Sequence, residues 1–408
     1  MYDLLKGLRI VEASSFVAAP SSCLYLSQMG AEVIRLDNVG GGLDFKRWPL
    51  SPGGDSFYWE GLNKGKKSVA IDLSGPAGRE LAVAIAAAPG KNAGLLVTNY
   101  PAEGFLAYDR LKAARGDLIC VRVMGWPDGG TAVDYTVNSA VGYPLMTGPL
   151  GSDVPVNHVL PAWDLLTGAY AAFAITAAER ARSADGQGRE VRVSLSDMAA
   201  ATLANLGQVG EVLSAGADRP RMGNDLYGAF GRDFATRDGR RVMVVALTAR
   251  QWSGLLEVLG IGEAVAALQQ SLGVSLKDEE ARFTHREALF PLFEAAIGGR
   301  DYADLAAGFD ANGVCWGPYQ SVHEAVTRDA RLFGANPMFS TIAHPSGLSY
   351  PAPGAPAIIP DAVRAPPRAA PRLGEHTDEV LSQVLGLPAV EIARLHDAGV
   401  VAGPARTP

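Results

Sequence analysis

Short apolar runs of strand length alternate with stretches of helical periodicity through the first half of the chain. Residues 8–12 (LRIVE) read as a short buried strand, and Pro20 then opens a helical stretch through Leu24, Tyr25 and Gln28. Gly30 ends that stretch, since glycine takes the left-handed cap conformation without steric cost. The unit recurs: 31–36 (AEVIRL) is a strand, 68–73 (SVAIDL) a strand, 76–88 (PAGRELAVAIAAA) a helix, 94–98 (GLLVT) a strand and 117–123 (DLICVRV) another. Strands that alternate with helices predict an α/β domain with a parallel sheet covered on both faces, and ligands bind such sheets at the carboxyl ends of the strands.

Residues 163–182 are helical in pattern, and Gly168, Ala171, Ala172 and Ala178 form a small-residue face that backbone can approach closely. A strand at 190–195 follows the Gly-Gln-Gly turn at 186–188. Further on, Phe234 and Thr236, then Asp238-Gly239, then 242–246 signal a hairpin, because Asp-Gly suits a type I′ turn. Helices at 251–259 and 302–309 complete a smaller α+β domain. Eight prolines between 344 and 371 disfavour helix and central strand, so this stretch is expected to be an extended connector. Residues 377–385 and 390–395 are helical again. The expected organisation is a large α/β domain begun by 1–200, a linker at 201–224, a small α+β domain at 225–330, a proline-rich connector at 331–371, and C-terminal helices at 372–408 that return to the large domain.

Composition narrows the possible partners. The 408 residues carry 36 Lys and Arg against 43 Asp and Glu, a net charge of -7, which argues against a general nucleic-acid binder. Three widely spaced cysteines without C-x-x-C suggest neither a disulfide framework nor a zinc knuckle. Charged residues at 3, 6, 9 and 12 break any signal-peptide run, and the longest smooth apolar stretch, 165–178, is short of the roughly 20 residues that a bilayer requires. A cytoplasmic protein without membrane or nucleic-acid partners is expected.

Familiar catalytic signatures are absent. The stretch Gly61-Leu-Asn-Lys-Gly-Lys-Lys-Ser68 fails the phosphate-loop spacing, and Gly40 to Gly42 is not G-x-G-x-x-G. No G-x-S-x-G, H-E-x-x-H or kinase signature occurs, and six scattered histidines offer no metal spacing. What remains is a cation cluster, Arg35, Lys46, Arg47, Lys64, Lys66 and Lys67, suited either to the phosphates of a nucleotide-like ligand or to an ordinary solvated face. Asp164 stands where a loop ending in Pro161 meets the apolar helix. It reads as a helix N-cap, for which Asp is a preferred type, or as a carboxylate nucleophile stabilised by the helix N-terminus.

Together these segments resemble the class III, formyl-CoA type, family of CoA-transferases from about Leu5 to Val400. Gly7-Leu-Arg-Ile-Val-Glu12 with Ala19-Pro20 and Gly30-Ala-Glu-Val-Ile-Arg35 is similar to the family's opening strand, helix and strand. Asn63-Lys-Gly-Lys-Lys-Ser68 with Ile71-Asp72-Leu73, the helix start at Asp164 to Gly168, and Leu373-Gly-Glu-His-Thr377 match further blocks in order. The resemblance implies a Rossmann-like large domain, a smaller α+β domain and an interlocked homodimer. It implies Asp164 as nucleophile on an acyl-CoA, with no metal and no cofactor beyond coenzyme A as part of the substrate. It further implies Val17, Ala18, Ile71, Asp72, Leu73, Asn99, Tyr100 and Asp134 as CoA neighbours, with Arg35 and Lys66 on the phosphates.

Departures within the family refine the expectation. The racemase branch carries a His where this chain has Val133, which removes one of its two proton-transfer groups. Asn99-Tyr-Pro-Ala-Glu-Gly104 and Tyr227-Gly-Ala-Phe-Gly-Arg-Asp233 depart from the blocks expected for oxalate and formate. The runs 40–48, 133–138, 157–164, 219–224 and 226–234 resemble instead the branch that moves CoA between the C1 and C4 carboxyls of one mesaconate molecule. On that resemblance Arg47, His158 and Arg232 are expected to hold the carboxylate not joined to CoA. Three readings stay open: intramolecular transfer, intermolecular transfer to a separate acid, and CoA binding without turnover.

Overall fold

The computed structural model describes residues 1–404. Its strands are, in chain order, β1 (Arg9–Ala13), β2 (Glu32–Asn38), β3 (Lys67–Ile71), β4 (Leu95–Thr98), β5 (Ile119–Met124), β6 (Arg189–Ser194), β7 (Phe230–Ala235), β8 (Arg241–Ala246), β9 (Cys315–Tyr319), β10 (Phe339–Ala343), β11 (Ser349–Pro353) and β12 (Val401–Ala402). The chain divides into two compact units. One comprises Met1–Val141, His158–Ser214 and the described residues from Pro337 onward, and the other Gly142–Asn157 and Ala215–Asn336.

The first unit is built on a seven-stranded sheet in the order β12-β3-β2-β1-β4-β5-β6. All neighbours pair parallel except β12, which runs antiparallel along β3 with Val401 opposite Ile71. This is the parallel α/β sheet that the alternation predicts. Strand residues are buried almost without interruption, as expected for a sheet covered on both faces. Val11, Ile34, Leu36, Val69 and Ile71 share one core with Val83 and Ile85 of the Pro76–Ala86 helix, and with Val380, Leu381 and Ile392 of the two C-terminal helices. Each such side chain contributes roughly 1.5–3 kcal/mol on burial. The second unit holds the antiparallel sheet β7-β8-β9 against helices, with Phe230, Phe234, Trp252, Phe290 and Phe293 at its centre.

Three local expectations change. The hairpin between β7 and β8 forms, but only Gly239 (φ +79°) is left-handed, so the turn is not type I′. Asp238 instead accepts hydrogen bonds from the Thr236 hydroxyl and the Tyr302 N–H, which hold it in ordinary backbone. The proline-rich stretch begins as a strand: β11 contains Pro351 and Pro353 and pairs with β10 in a two-stranded sheet, where a proline N without a hydrogen faces no partner strand. From 354 to 372 it has no helix or strand and makes one turn at 360–361, and Pro371 and Ala369 accept from Trp59 Nε1 and the Gly65 N–H. Over 201–224, read from the sequence as a linker, the helices Leu195–Asn205 and Gln208–Ala215 continue to residue 215. Among the described residues no helix is long and apolar enough to cross a membrane.

Candidate active site

The sheet order contains a reversal. From β1 the chain winds outward through β2 and β3 on one side, then through β4, β5 and β6 on the other. Connections leaving β1 and β4 therefore diverge, and a crevice opens at their carboxyl ends. A cavity of about 760 Å³ lies there, lined by residues that follow β1 (Ser15 to Ala18), β4 (Asn99 to Glu103) and β5 (Gly125 and Pro127 to Tyr135), together with Arg47, Tyr58 and Asp164. Asn99 bridges the reversal: its Oδ1 accepts from the Ser15 N–H (3.2 Å) and its Nδ2 donates to the Ser15 carbonyl (2.9 Å).

Phe16, on the cavity wall, has φ +71°, a conformation that costs a bulky residue of order 1–3 kcal/mol. Its N–H donates to both oxygens of Asp44 (3.0 and 3.2 Å), and Asp44 is in turn held by Arg35 Nη2 at 2.8 Å. The strained loop is thus fastened to a buried charge in the sheet.

Asp164 is the third residue of the helix Ala162–Asp185. Gly168 lets this helix close on Ala18–Gln28; a Cβ there would meet Ser21 Oγ at 2.1 Å and the Ala18 carbonyl at 2.6 Å. The expected small-residue face is therefore a contact between the helix of Asp164 and the helix that starts at the cavity wall. The N-cap is Pro161, which offers no side-chain acceptor. Asp134 supplies one instead, its Oδ2 accepting from the N–H groups of Trp163 (2.6 Å) and Asp164 (3.1 Å). This corrects the reading of Asp164 as the cap, because the capping carboxylate comes from another helix, Asp134–Ala140. The half-buried Asp164 carboxylate lines the cavity and receives no hydrogen bond among the described residues. Burial and the neighbouring Asp134 charge push its pKa up to about 7, against the opposing pull of Arg47.

Of the residues expected at the site, Val17, Ala18, Arg47, Asn99, Tyr100, Asp134 and Asp164 all line this one cavity. The Arg47 guanidinium lies 5.2 Å from the Phe16 ring and 5.0 Å from the Tyr58 ring, and no carboxylate pairs with it among the described residues. Ile71, Asp72 and Leu73 do not line the cavity: Ile71 is fully buried in the sheet, Leu73 packs in the core, and Asp72 bonds Ser74. Arg35 and Lys66 require correction. Arg35 is 3% exposed and paired at 2.8 Å with each of Glu12, Asp37 and Asp44, while Lys66 is buried against Glu12 (2.7 Å) and Asn63. Both are buried within the protein's own ion pairs, and neither lines the cavity. Lys67 is likewise paired with Glu32 and Glu379, so three of the six clustered cations are taken up in internal ion pairs.

His158 does not line the cavity; its Nε2 lies 2.7 Å from Asp134 Oδ1. Arg232 belongs to the second unit, where it pairs with Asp225 (3.3 Å) and Glu294 (3.4 Å) and lies over Phe290. Sequence reasoning missed the wall formed by Phe16, Tyr58, Arg122 and the Gly125–Ala132 turn. The turn had a signal: Gly-Trp-Pro-Asp-Gly-Gly directly follows an expected strand, at the carboxyl end where ligands bind. Arg122 had none, since only the fold shows it donating to the carbonyls of Tyr100, Pro101 and Leu106 and so fastening the loop after β4.

Comparison with known proteins accords with this geometry. The sequence matches CoA-transferase family III over residues 5–377. It is 49% identical over 407 residues, the full length of both chains, to the 2-methylfumaryl-CoA isomerase of Chloroflexus aurantiacus. It is 27% identical to the succinate–glutarate CoA-transferase of Agrobacterium fabrum, over 93% of this chain and 95% of that one. The crystal structure of a CAIB/BAIF family protein from Brucella suis superposes with a TM-score of 0.74 at 26% identity, covering 93% of this chain and 99% of the other. The match takes in both the crevice at the sheet reversal and the helix of Asp164, and the chain belongs to CoA-transferase family III.

Proposed function

We propose that this protein moves CoA between the two carboxyls of one mesaconate molecule, converting 2-methylfumaryl-CoA into 3-methylfumaryl-CoA with Asp164 as covalent nucleophile. The observation that carries the reading is the Asp164 carboxylate, which has no hydrogen-bond partner among the described residues and lies at the wall of the crevice cavity within the electrostatic reach of Arg47. The 49% identity to a 2-methylfumaryl-CoA isomerase supports the choice of substrate.

In this mechanism an Asp164 oxygen attacks the C1 thioester carbonyl, and the carbon–sulfur bond breaks to release CoA thiolate and leave a mixed anhydride. The thiolate then attacks the aspartyl carbonyl, giving an Asp164–CoA thioester and free mesaconate dicarboxylate. The C4 carboxylate next attacks that thioester, thiolate leaves again, and its attack on the C4 carbonyl of the new anhydride releases 3-methylfumaryl-CoA and Asp164. Proton count and charge are unchanged across the cycle. Coenzyme A enters only as part of the substrate. Val17, Ala18, Asn99 and Tyr100 are the proposed CoA neighbours. Arg47, held between the faces of Phe16 and Tyr58, is the proposed site for the carboxylate not joined to CoA, in a slot that suits a planar conjugated acid. A homodimer is part of the reading; Leu166, Tyr170 and Phe173, exposed along one face of the helix of Asp164, support an association there.

The test is mass spectrometry of the products formed from 2-methylfumaryl-CoA in the presence of isotope-labelled free mesaconate, with Asp164→Ala as control. Unlabelled 3-methylfumaryl-CoA, absent with the variant, is expected. Label in the product, or conversion only after an acid is added, identifies an intermolecular transferase instead.

A further inference from the structure

Asp134 is 1% exposed, and a carboxylate so buried needs both hydrogen bonds and countercharge. Two of its bonds come from the first turn of the Asp164 helix, and the third comes from His158 Nε2 at 2.7 Å. The imidazole is fixed in turn: its ring meets the edge of Tyr135 at 5.8 Å, and the Tyr135 hydroxyl donates to the carbonyl of Val159, next to His158 in the chain. The charges that act on Asp164 are those of Asp134 and Arg47, from two different segments. Of these only Asp134 opposes an ionised Asp164 at neutral pH, and His158 is the ionisable side chain bonded to Asp134.

We propose that His158 is a positioning residue for the nucleophile, acting through Asp134. Its Nε2–H holds the buried carboxylate that caps the first turn of the Asp164 helix, and so fixes where the Asp134 charge lies beside Asp164. Removing the imidazole leaves the Asp134 carboxylate one hydrogen bond short, beside Asp164 at the same helix terminus. His158 therefore governs how much of Asp164 is available as carboxylate, and it does so without touching substrate. The inference rests on Asp164 as nucleophile, so its test includes a readout that needs no turnover.

That readout is the carboxyl titration of Asp164, followed by 13C NMR in full-length protein labelled at Asp and assigned by its loss in Asp164→Asn. The pH profile of kcat/KM is measured alongside. His158→Phe is expected to raise the titration midpoint by about half a unit or more and to lower kcat about tenfold with KM nearly unchanged. His158→Gln keeps a donor to Asp134, and is expected to recover most of kcat and to bring the midpoint back toward that of the wild type. Asp134→Asn, which keeps an acceptor for the two N–H groups and removes the like charge, is expected to lower the midpoint. An unmoved midpoint in His158→Phe overturns the proposal, as does a rise in KM alone, which marks a direct substrate contact. Should His158→Phe fail to fold, the opposite shifts of His158→Ala and Asp134→Asn decide, and their absence overturns the proposal. A wild-type protein that titrates as described but does not convert 2-methylfumaryl-CoA contradicts the proposed function and leaves this inference standing.

Discussion

Asn99 bonds both backbone polar groups of Ser15, accepting from its N–H at 3.2 Å and donating to its carbonyl at 2.9 Å. The two residues follow β4 and β1, the strands between which the sheet reverses, so one side chain fixes the two loops that open the cavity. Replacing Asn99 by Ala removes both bonds and leaves two backbone groups short of partners. The expected loss is about 1–3 kcal/mol in denaturant unfolding. KM for the CoA ester rises in the same variant, because the loops it leaves loose include Val17, Ala18 and Tyr100.

Gly168 tests whether helix packing places the nucleophile. In Gly168→Ala the new Cβ falls 2.6 Å from the backbone carbonyl of Ala18, which cannot rotate away as the Ser21 hydroxyl can. The helices must part, at a cost of about 1–3 kcal/mol. Because the displaced helix carries Asp164, kcat is expected to fall more than substrate affinity. Equal kcat in a folded Gly168→Ala variant would show that the contact serves stability alone.

The pH dependence has a definite sign. With the Asp164 pKa pushed up to about 7, kcat/KM loses its ionised nucleophile below neutrality and falls about tenfold per pH unit on the acid side. Arg47 opposes the upward shift, so Arg47→Ala moves that limb to higher pH. Stability runs the other way. A folded-state pKa above the ordinary carboxylate value means that ionising Asp164 costs stability, progressively as pH rises from about 4 to about 7. Asp164→Asn removes the cost, so thermal melts at pH 8 are expected to show a higher Tm by a few degrees, with the gain shrinking toward pH 4.

Lys66 separates the structural reading from the expected phosphate contact. Lys66→Met leaves Glu12 buried without its 2.7 Å partner, and breaking such a pair costs about 3–5 kcal/mol. A large drop in stability is expected. Unchanged stability with a raised KM for CoA esters would instead return Lys66 to the phosphates.

How far the sequence was legible follows from which forces are local. The strands and the helix of Asp164 carry their own periodicity, and the crevice follows from strand order by a general rule; Val17, Ala18, Asn99, Tyr100 and Asp134, expected near CoA from the family resemblance, meet Asp164 in that one cavity. Charge partners are a different matter. Arg35 and Lys66 read as free cations because Glu12, Asp37 and Asp44, which bury them, are brought together only by the pairing of β1 with β2 and the turn after it. The cap on the Asp164 helix was misassigned for the same reason: its acceptor, Asp134, is 30 residues away in sequence. The backbone of Phe16 carries no mark in the sequence, since its left-handed conformation is tied to the Asp44 carboxylate, 28 residues away.

The central claim is covalent catalysis by Asp164, and the most direct measurement is peptide mapping of the full-length protein quenched with acid during turnover of 2-methylfumaryl-CoA. The account predicts a CoA thioester on the peptide that contains Asp164, lost in Asp164→Asn together with activity. Turnover with no adduct there, or with the adduct on a different carboxylate, would contradict it.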